Sequence, residues 1–135
     1  MTYHDKVQIT LIIIAPPDQV AEGDRIFKSH RAWMEATHYR DGEKALLSYN
    51  VSNGPEPSNP TDPNSAPTGN TCFVLSEIYE TRAGVLDHFE QAFGNWETFR
   101  RWSSGWRSAK SRLCLQLPSS TRSGKGADSS ARHGG

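Results

Sequence analysis

The chain has 135 residues with fifteen basic and fifteen acidic side chains, which allows one domain and one core and leaves no net charge to draw it onto nucleic acid or an anionic membrane. Its longest apolar run, Leu11–Ala15 within Val7–Pro17, falls far short of the roughly 20 residues that span a bilayer. It also lacks the small-residue cleavage site of a secretory signal, so the expectation is a cytoplasmic protein with no membrane partner.

In chain order, Lys6–Ile14 is β-branched and almost continuously apolar, which predicts a central strand buried on both faces. Ala15-Pro16-Pro17 stops it, Asp18 offers an N-cap, and a helix is expected to about His38. Val20, Ile26, Phe27, Trp33 and Met34 recur on that helix at helical spacing. Asp41-Gly42 makes a turn. Lys44–Ser52 alternates, with Ala45, Leu47, Tyr49 and Val51 opposed to Leu46, Ser48, Asn50 and Ser52, and reads as a strand. Asn53–Asn70 holds no large apolar residue and reads as a long surface loop. Thr71–Tyr79 is a third alternating strand. Thr81 then caps a helix with Val85, Leu86, Phe89 and Phe93 on one side, interrupted at Gly94-Asn95. Trp96–Trp106 reads as a further helical piece and Arg112–Leu117 as a fourth strand ended by Pro118. Residues 118–135 carry nothing to bury and are expected to be disordered. Cys72 and Cys114 lie in apolar strand stretches and read as small buried residues.

The order β-α-β-β-α-β over residues 1–117 predicts an α+β domain of ferredoxin-like kind, with a four-stranded antiparallel sheet and helices on one face. Two helices cover only that face, so the other is expected to pair with a second copy as a homodimer.

The run Cys72-Phe-Val-Leu-Ser-Glu-Ile-Tyr-Glu-Thr-Arg-Ala-Gly-Val-Leu-Asp-His88 resembles the third-strand-to-second-helix segment of the antibiotic-biosynthesis-monooxygenase family. In that family a strand ending in Glu-x-Tyr or Glu-x-Trp leads through an acidic turn to a helix bearing a histidine. The resemblance implies a dimeric α/β barrel. It also implies a small oxygenase acting on an aromatic or quinone-like molecule, within a family that also holds haem-degrading enzymes and proteins of no assigned activity. The loop at residues 53–70 and the segment after Trp102 depart from the family's usual form.

Candidate residues follow from face and neighbours. His30 lies three and four positions from Phe27, Ile26, Trp33 and Met34, on the sheet-facing stripe. It is either a core histidine tied to a carbonyl or to Tyr49, or a pocket acid/base that burial keeps neutral. His88 matches the family's helix histidine and sits at the edge of its apolar stripe. His38, at the end of the first helix, reads as a partner of the helix dipole. Glu77 and Tyr79 share a strand face with Phe73 and Leu75, where an unpaired carboxylate is costly, so Glu77 should meet a cation or a histidine, or else sit exposed at the sheet rim. Tyr49 and Asn50 point to opposite faces, and one of them should face the helices. Trp33, Trp96 and Phe99 either wall an aromatic cavity or fill the core.

His30, His88 and Glu77 are therefore the catalytic candidates, with Tyr49, Asn50, Tyr79, Trp33 and Trp96 binding substrate. The spacing of histidines and cysteines shows no metal-ligand pair, and no phosphate-loop or dinucleotide motif appears. The expected reaction is thus a monooxygenation needing no bound cofactor, with haem or flavin left open. Binding of a small aromatic molecule without turnover is the alternative. Trp102 and Trp106 beside Arg100, Arg101 and Arg107 form a basic aromatic stretch, which the neutral total charge argues against as a nucleic-acid site.

Overall fold

The computed structural model describes residues 3–99 and 110–116, and within 110–116 the side chains of 113–115 alone. Its elements are β1 (Val7–Ala15), α1 (Val20–Thr37), β2 (Leu46–Pro57), β3 (Pro67–Tyr79), α2 (Arg82–Asn95) and β4 (Lys110–Gln116). The strands form one antiparallel sheet in the order β2-β3-β1-β4. That order and the β-α-β-β-α-β succession define a ferredoxin-like α+β fold.

Alternation along β1 decides which face is covered. Val7, Ile9, Leu11, Ile13 and Ala15 are buried, while the residues between them are half-buried. The expected burial of β1 on both faces therefore holds only on the helix side. There Leu11, Ile13, Phe27, Phe73 and Leu75 form one cluster, and Val7, Ile9, Tyr79 and Val85 a second. Each such side chain contributes roughly 1.5–3 kcal/mol by leaving water.

α1 buries Gly23, Ile26, Phe27, His30 and Met34, a stripe at three- and four-residue spacing. Asp18 does not cap it. The two prolines set a short 3-10 turn over Pro17–Gln19, and α1 begins after Gln19 with no side-chain cap. Gly42, at φ +78°, makes the turn into β2, where the Ala45 N–H donates to its carbonyl at 3.1 Å. A bulge between Leu46 and Ser48 then breaks the alternation expected in β2. Leu46 pairs with Tyr79 on the helix side, and Leu47 is turned out to 37% exposure.

Half of the expected 53–70 loop is strand, in a hairpin arm. β2 continues to Pro57 and β3 starts at Pro67, with Asn53 opposite Phe73 and Pro57 opposite Pro67. Pro55 and Pro57 are tolerated because β2 is an edge strand among the described residues. Side chains pin the arm: Thr68 and Asn70 both donate to Glu56 Oε2, at 2.7 and 2.8 Å. Its polar composition marks an arm exposed on both faces, which alternation cannot reveal.

Thr81 caps α2 as expected, accepting from the Ala83 N–H at 3.1 Å and donating to the Glu43 carbonyl at 2.7 Å. The buried stripe is Gly84, Val85, His88 and Ala92. Leu86 and Phe93 are instead 58% and 68% exposed, so His88 sits at the centre of the stripe rather than at its edge. The helical piece expected from Trp96 is seen over residues 97–99, and the rest of it lies outside the described residues. So do the basic aromatic stretch and the 118–135 tail.

The face of the sheet away from the helices carries Ile12, Ile14, Val74 and Ile78, all half-buried, between polar residues such as Thr10 and Ser76. Cys72 and Cys114 belong to this face, opposite Ile14 and Thr10 in β1. Cys72 is half-buried and Cys114 exposed, so neither is the core residue expected. No described helix is long and apolar enough to cross a membrane.

Candidate functional site

Strand register places Glu77 in the middle of the helix-covered face, opposite Ile9 of β1 and Tyr49 of β2. α1 brings His30 over it and α2 brings His88. Glu77 is 0% exposed, His30 4% and His88 7%. His30 Nε2 lies 3.7 Å from Glu77 Oε1, and His88 Nδ1 lies 3.7 Å from Glu77 Oε2. Both separations exceed a hydrogen bond.

Each member has a further partner. Tyr79 donates to Glu77 Oε2 at 2.7 Å, the Tyr49 hydroxyl meets His30 Nδ1 at 2.9 Å, and His38 Nε2 meets His88 Nδ1 at 3.0 Å. Thr37 fixes the ring protons on one side. Its hydroxyl donates to the Trp33 carbonyl at 2.7 Å, so it can only accept from His38 Nδ1 at 3.0 Å. His38 Nε2 then carries a lone pair and His88 Nδ1–H donates to it. Glu77 Oε1 and Trp33 Nε1 are buried without a hydrogen-bond partner among the described residues.

Electrostatics follow from burial. Desolvation, helped by His38, lowers the His30 pKa to about 3. Desolvation, then His30 and His38, lowers that of His88 to about 3. Burial is also the main cause for His38, which falls to about 4. Glu77 moves the other way, to about 7, because burial outweighs the hydrogen bond from Tyr79. Both tyrosines are pushed up, first by burial and then by the Glu77 charge. The 3.7 Å contacts are thus not ion pairs at neutral pH: both imidazoles are uncharged.

Trp33 and Trp96 stack at 5.5 Å with an interplanar angle of 15°, and the Trp96 ring centroid is 4.9 Å from that of His30. The Trp96 N–H donates to Ser29 Oγ at 3.2 Å. The pair fills the space above His30 instead of walling a cavity. The void left beside His30, Ile26 and Trp96 is about 10 Å³, room for at most one water. The open space lies on the other side of Tyr49. A cleft of about 480 Å³ runs between α1 and β2, with Phe27, Met34, Tyr49 and Phe73 in its walls and Lys28 and Arg31 at its border. That size suits a small organic molecule.

Of the residues singled out in the sequence, His30, Glu77, His88, Tyr49 and Tyr79 come together. Asn50 does not join them: it pairs with Ser76 on the opposite face and reaches only the lip of the cleft. His38 joins although its position suggested only a dipole contact. The signal for it was the four-residue step from Met34, which puts it over the same stripe. Nothing local in the sequence signals this cluster, since His30, Glu77 and His88 are separated by 47 and 11 residues. One ring nitrogen each of His30 and His88 and one Glu77 oxygen all lie within 4.8 Å of one another.

No family model and no curated protein matches the chain. The solved structure of PA3566 from Pseudomonas aeruginosa is similar at 19% identity, covering 87% of this chain and 99% of its own, with a TM-score of 0.46.

Proposed function

We propose that the protein is a cytoplasmic, homodimeric oxidoreductase: a monooxygenase of hydroxylated aromatic or quinone-like small molecules that needs no bound organic cofactor. One observation carries the reading. Tyr49 forms a wall of the open cleft, and its hydroxyl meets His30, which is backed by Glu77. A polar chain thus leads from the cleft to a buried carboxylate. The likeness of the 72–88 segment to the antibiotic-biosynthesis-monooxygenase family supplies the reaction class.

In the resting state neutral His30 accepts the Tyr49 proton at Nδ1 and holds its own hydrogen on Nε2, toward Glu77. A phenolic hydroxyl in the cleft passes its proton to Tyr49 Oη as Tyr49 passes its own to His30. Glu77 then stabilises the imidazolium through space, as the carboxylate does in a hydrolase triad. The substrate anion, with charge on a ring carbon that bears a hydrogen, adds dioxygen, and the peroxide anion takes the proton back from His30 through Tyr49 to give a hydroperoxide. Loss of water leaves a carbonyl. One oxygen atom enters the product, the other leaves as water, and the substrate supplies the electrons.

Binding without turnover is the second reading, and the closed packing of Trp33 and Trp96 over His30 favours it. A panel of hydroxylated aromatics and quinones, read by thermal shift and by an oxygen electrode, separates the two. The oxygenase reading expects a ligand that both raises the melting temperature and consumes oxygen, with His30→Ala keeping the first effect and losing the second. A thermal shift with no oxygen uptake across the panel supports the binding module instead.

A further inference from the structure

We propose that His30, Glu77 and His88 form a site for one divalent first-row cation of zinc-like chemistry, held by His30 Nε2, a ring nitrogen of His88 and Glu77 Oε1. Two imidazoles and a carboxylate are the donor set such ions take, and a fourth position would stay open. Ligands about 2.0–2.1 Å from a tetrahedral zinc lie roughly 3.3 Å apart. His30 Nε2 and Glu77 Oε1 are at 3.7 Å, and the whole set lies within 4.8 Å, so small side-chain rotations close the site.

Two further observations point to a ligand. Glu77 Oε1 is buried with no hydrogen-bond partner among the described residues and lies 3.7 Å from His30 Nε2, a costly arrangement that a cation between them would relieve. In addition, all three ligands have an outer partner of the kind that orients metal ligands. Tyr49 serves His30, Tyr79 serves Glu77 and His38 serves His88.

The site shares His30 with the proton relay but does not depend on the oxygenase reading. With Nε2 on the metal, His30 keeps its hydrogen on Nδ1 and donates it to Tyr49. It can then no longer accept the Tyr49 proton, so the cation inhibits the relay.

The test uses the full chain, freed of metal by a chelator and of any affinity tag, dialysed against Zn(II) or Co(II) without substrate. Expected are one ion per chain and a Co(II) visible spectrum of low coordination number. Mg(II), which prefers oxygen ligands, should not compete. Tyr49→Phe, an outer-partner change, should weaken binding about 10- to 100-fold. Glu77→Gln and His88→Gln should lose it altogether, with circular dichroism confirming their fold. No stoichiometric uptake by the wild type overturns the site. So does uptake that survives Glu77→Gln in a folded variant, because exposed histidines would then be responsible. Should Glu77→Gln not fold, the wild-type stoichiometry and the Tyr49→Phe affinity decide. Because uptake is measured without substrate, it stands or falls separately from oxygen consumption.

Discussion

The residue that organises this protein is Glu77, a carboxylate set where its sequence neighbours Phe73 and Leu75 are core. Its place on an apolar strand face was legible from alternation, whereas its burial was not, because an exposed seat at the sheet rim fits the same pattern. The identity of its partners was legible only as a class, because no spacing rule tells which helices will bring histidines to it. Tyr49 against Asn50 was undecidable in the sequence: parity gives two faces, and only register shows which one the helices cover. Titration of the cluster has a definite sign. Glu77 prefers its proton in the fold, so its contribution is full below its unfolded value of 4.5 and is lost as pH rises through about 7. The three histidines are depressed from 6.5 to about 3 or 4, so their contribution is present above 6.5 and lost as pH falls toward those values. Between pH 4.5 and 6.5 three groups oppose one, and stability should rise with pH, then level off near neutrality. Glu77→Gln removes the opposing group, so the variant should gain on the wild type steadily from pH 4.5 to 7 in thermal melts. Parallel melting curves for the two proteins would contradict the buried, proton-preferring carboxylate.

Elements were read well where periodicity reports burial and poorly where it does not. α1, α2 and β3 emerge from spacing because each buries one face, whereas β1 was read from its continuous apolar run and so with one buried face too many. The β2–β3 arm beyond Asn53 does not, since both its faces meet water and its prolines and asparagines look like loop. The exposed Leu86 and Phe93 show the converse error, apolar residues counted into a stripe that Gly84, Val85, His88 and Ala92 fill. Gly84 lets α2 approach so closely. A Cβ there would lie 2.7 Å from Tyr79 Cδ1 and 2.9 Å from the Lys44 carbonyl oxygen. Backbone cannot yield as a side chain tip does, so Gly84→Ala should destabilise by about 1–3 kcal/mol. It should also shift His88 away from Glu77, because both residues ride on the same helix face. A denaturant melt gives the first effect. An unchanged midpoint would mean that α2 sits less tightly than this packing requires.

At the level of the whole molecule, the described helices cover one side of the sheet and leave Ile12, Ile14, Val74 and Ile78 on the other. The proposed homodimer places the same face of a second copy against this one. Two copies of the 15.0 kDa chain should therefore co-elute in mass-resolved sizing. Val74, opposite Ile12 in the register, lies in the middle of this face. Val74→Arg should yield monomer with the helix-side core intact, whereas a wild-type monomer at micromolar concentration contradicts the dimer.

Tyr49 links the cleft to the buried histidine and carboxylate. The direct measurement is steady-state oxygen uptake by Tyr49→Phe beside the wild type, with a hydroxylated aromatic that the thermal-shift panel shows to bind. Phenylalanine keeps the ring in the cleft wall and deletes only the hydroxyl. The prediction is a fall in kcat of about 10²- to 10⁴-fold with binding little changed, the loss typical of a missing proton-transfer group. Equal turnover by the two proteins would contradict the relay and move the chemistry away from His30 and Glu77.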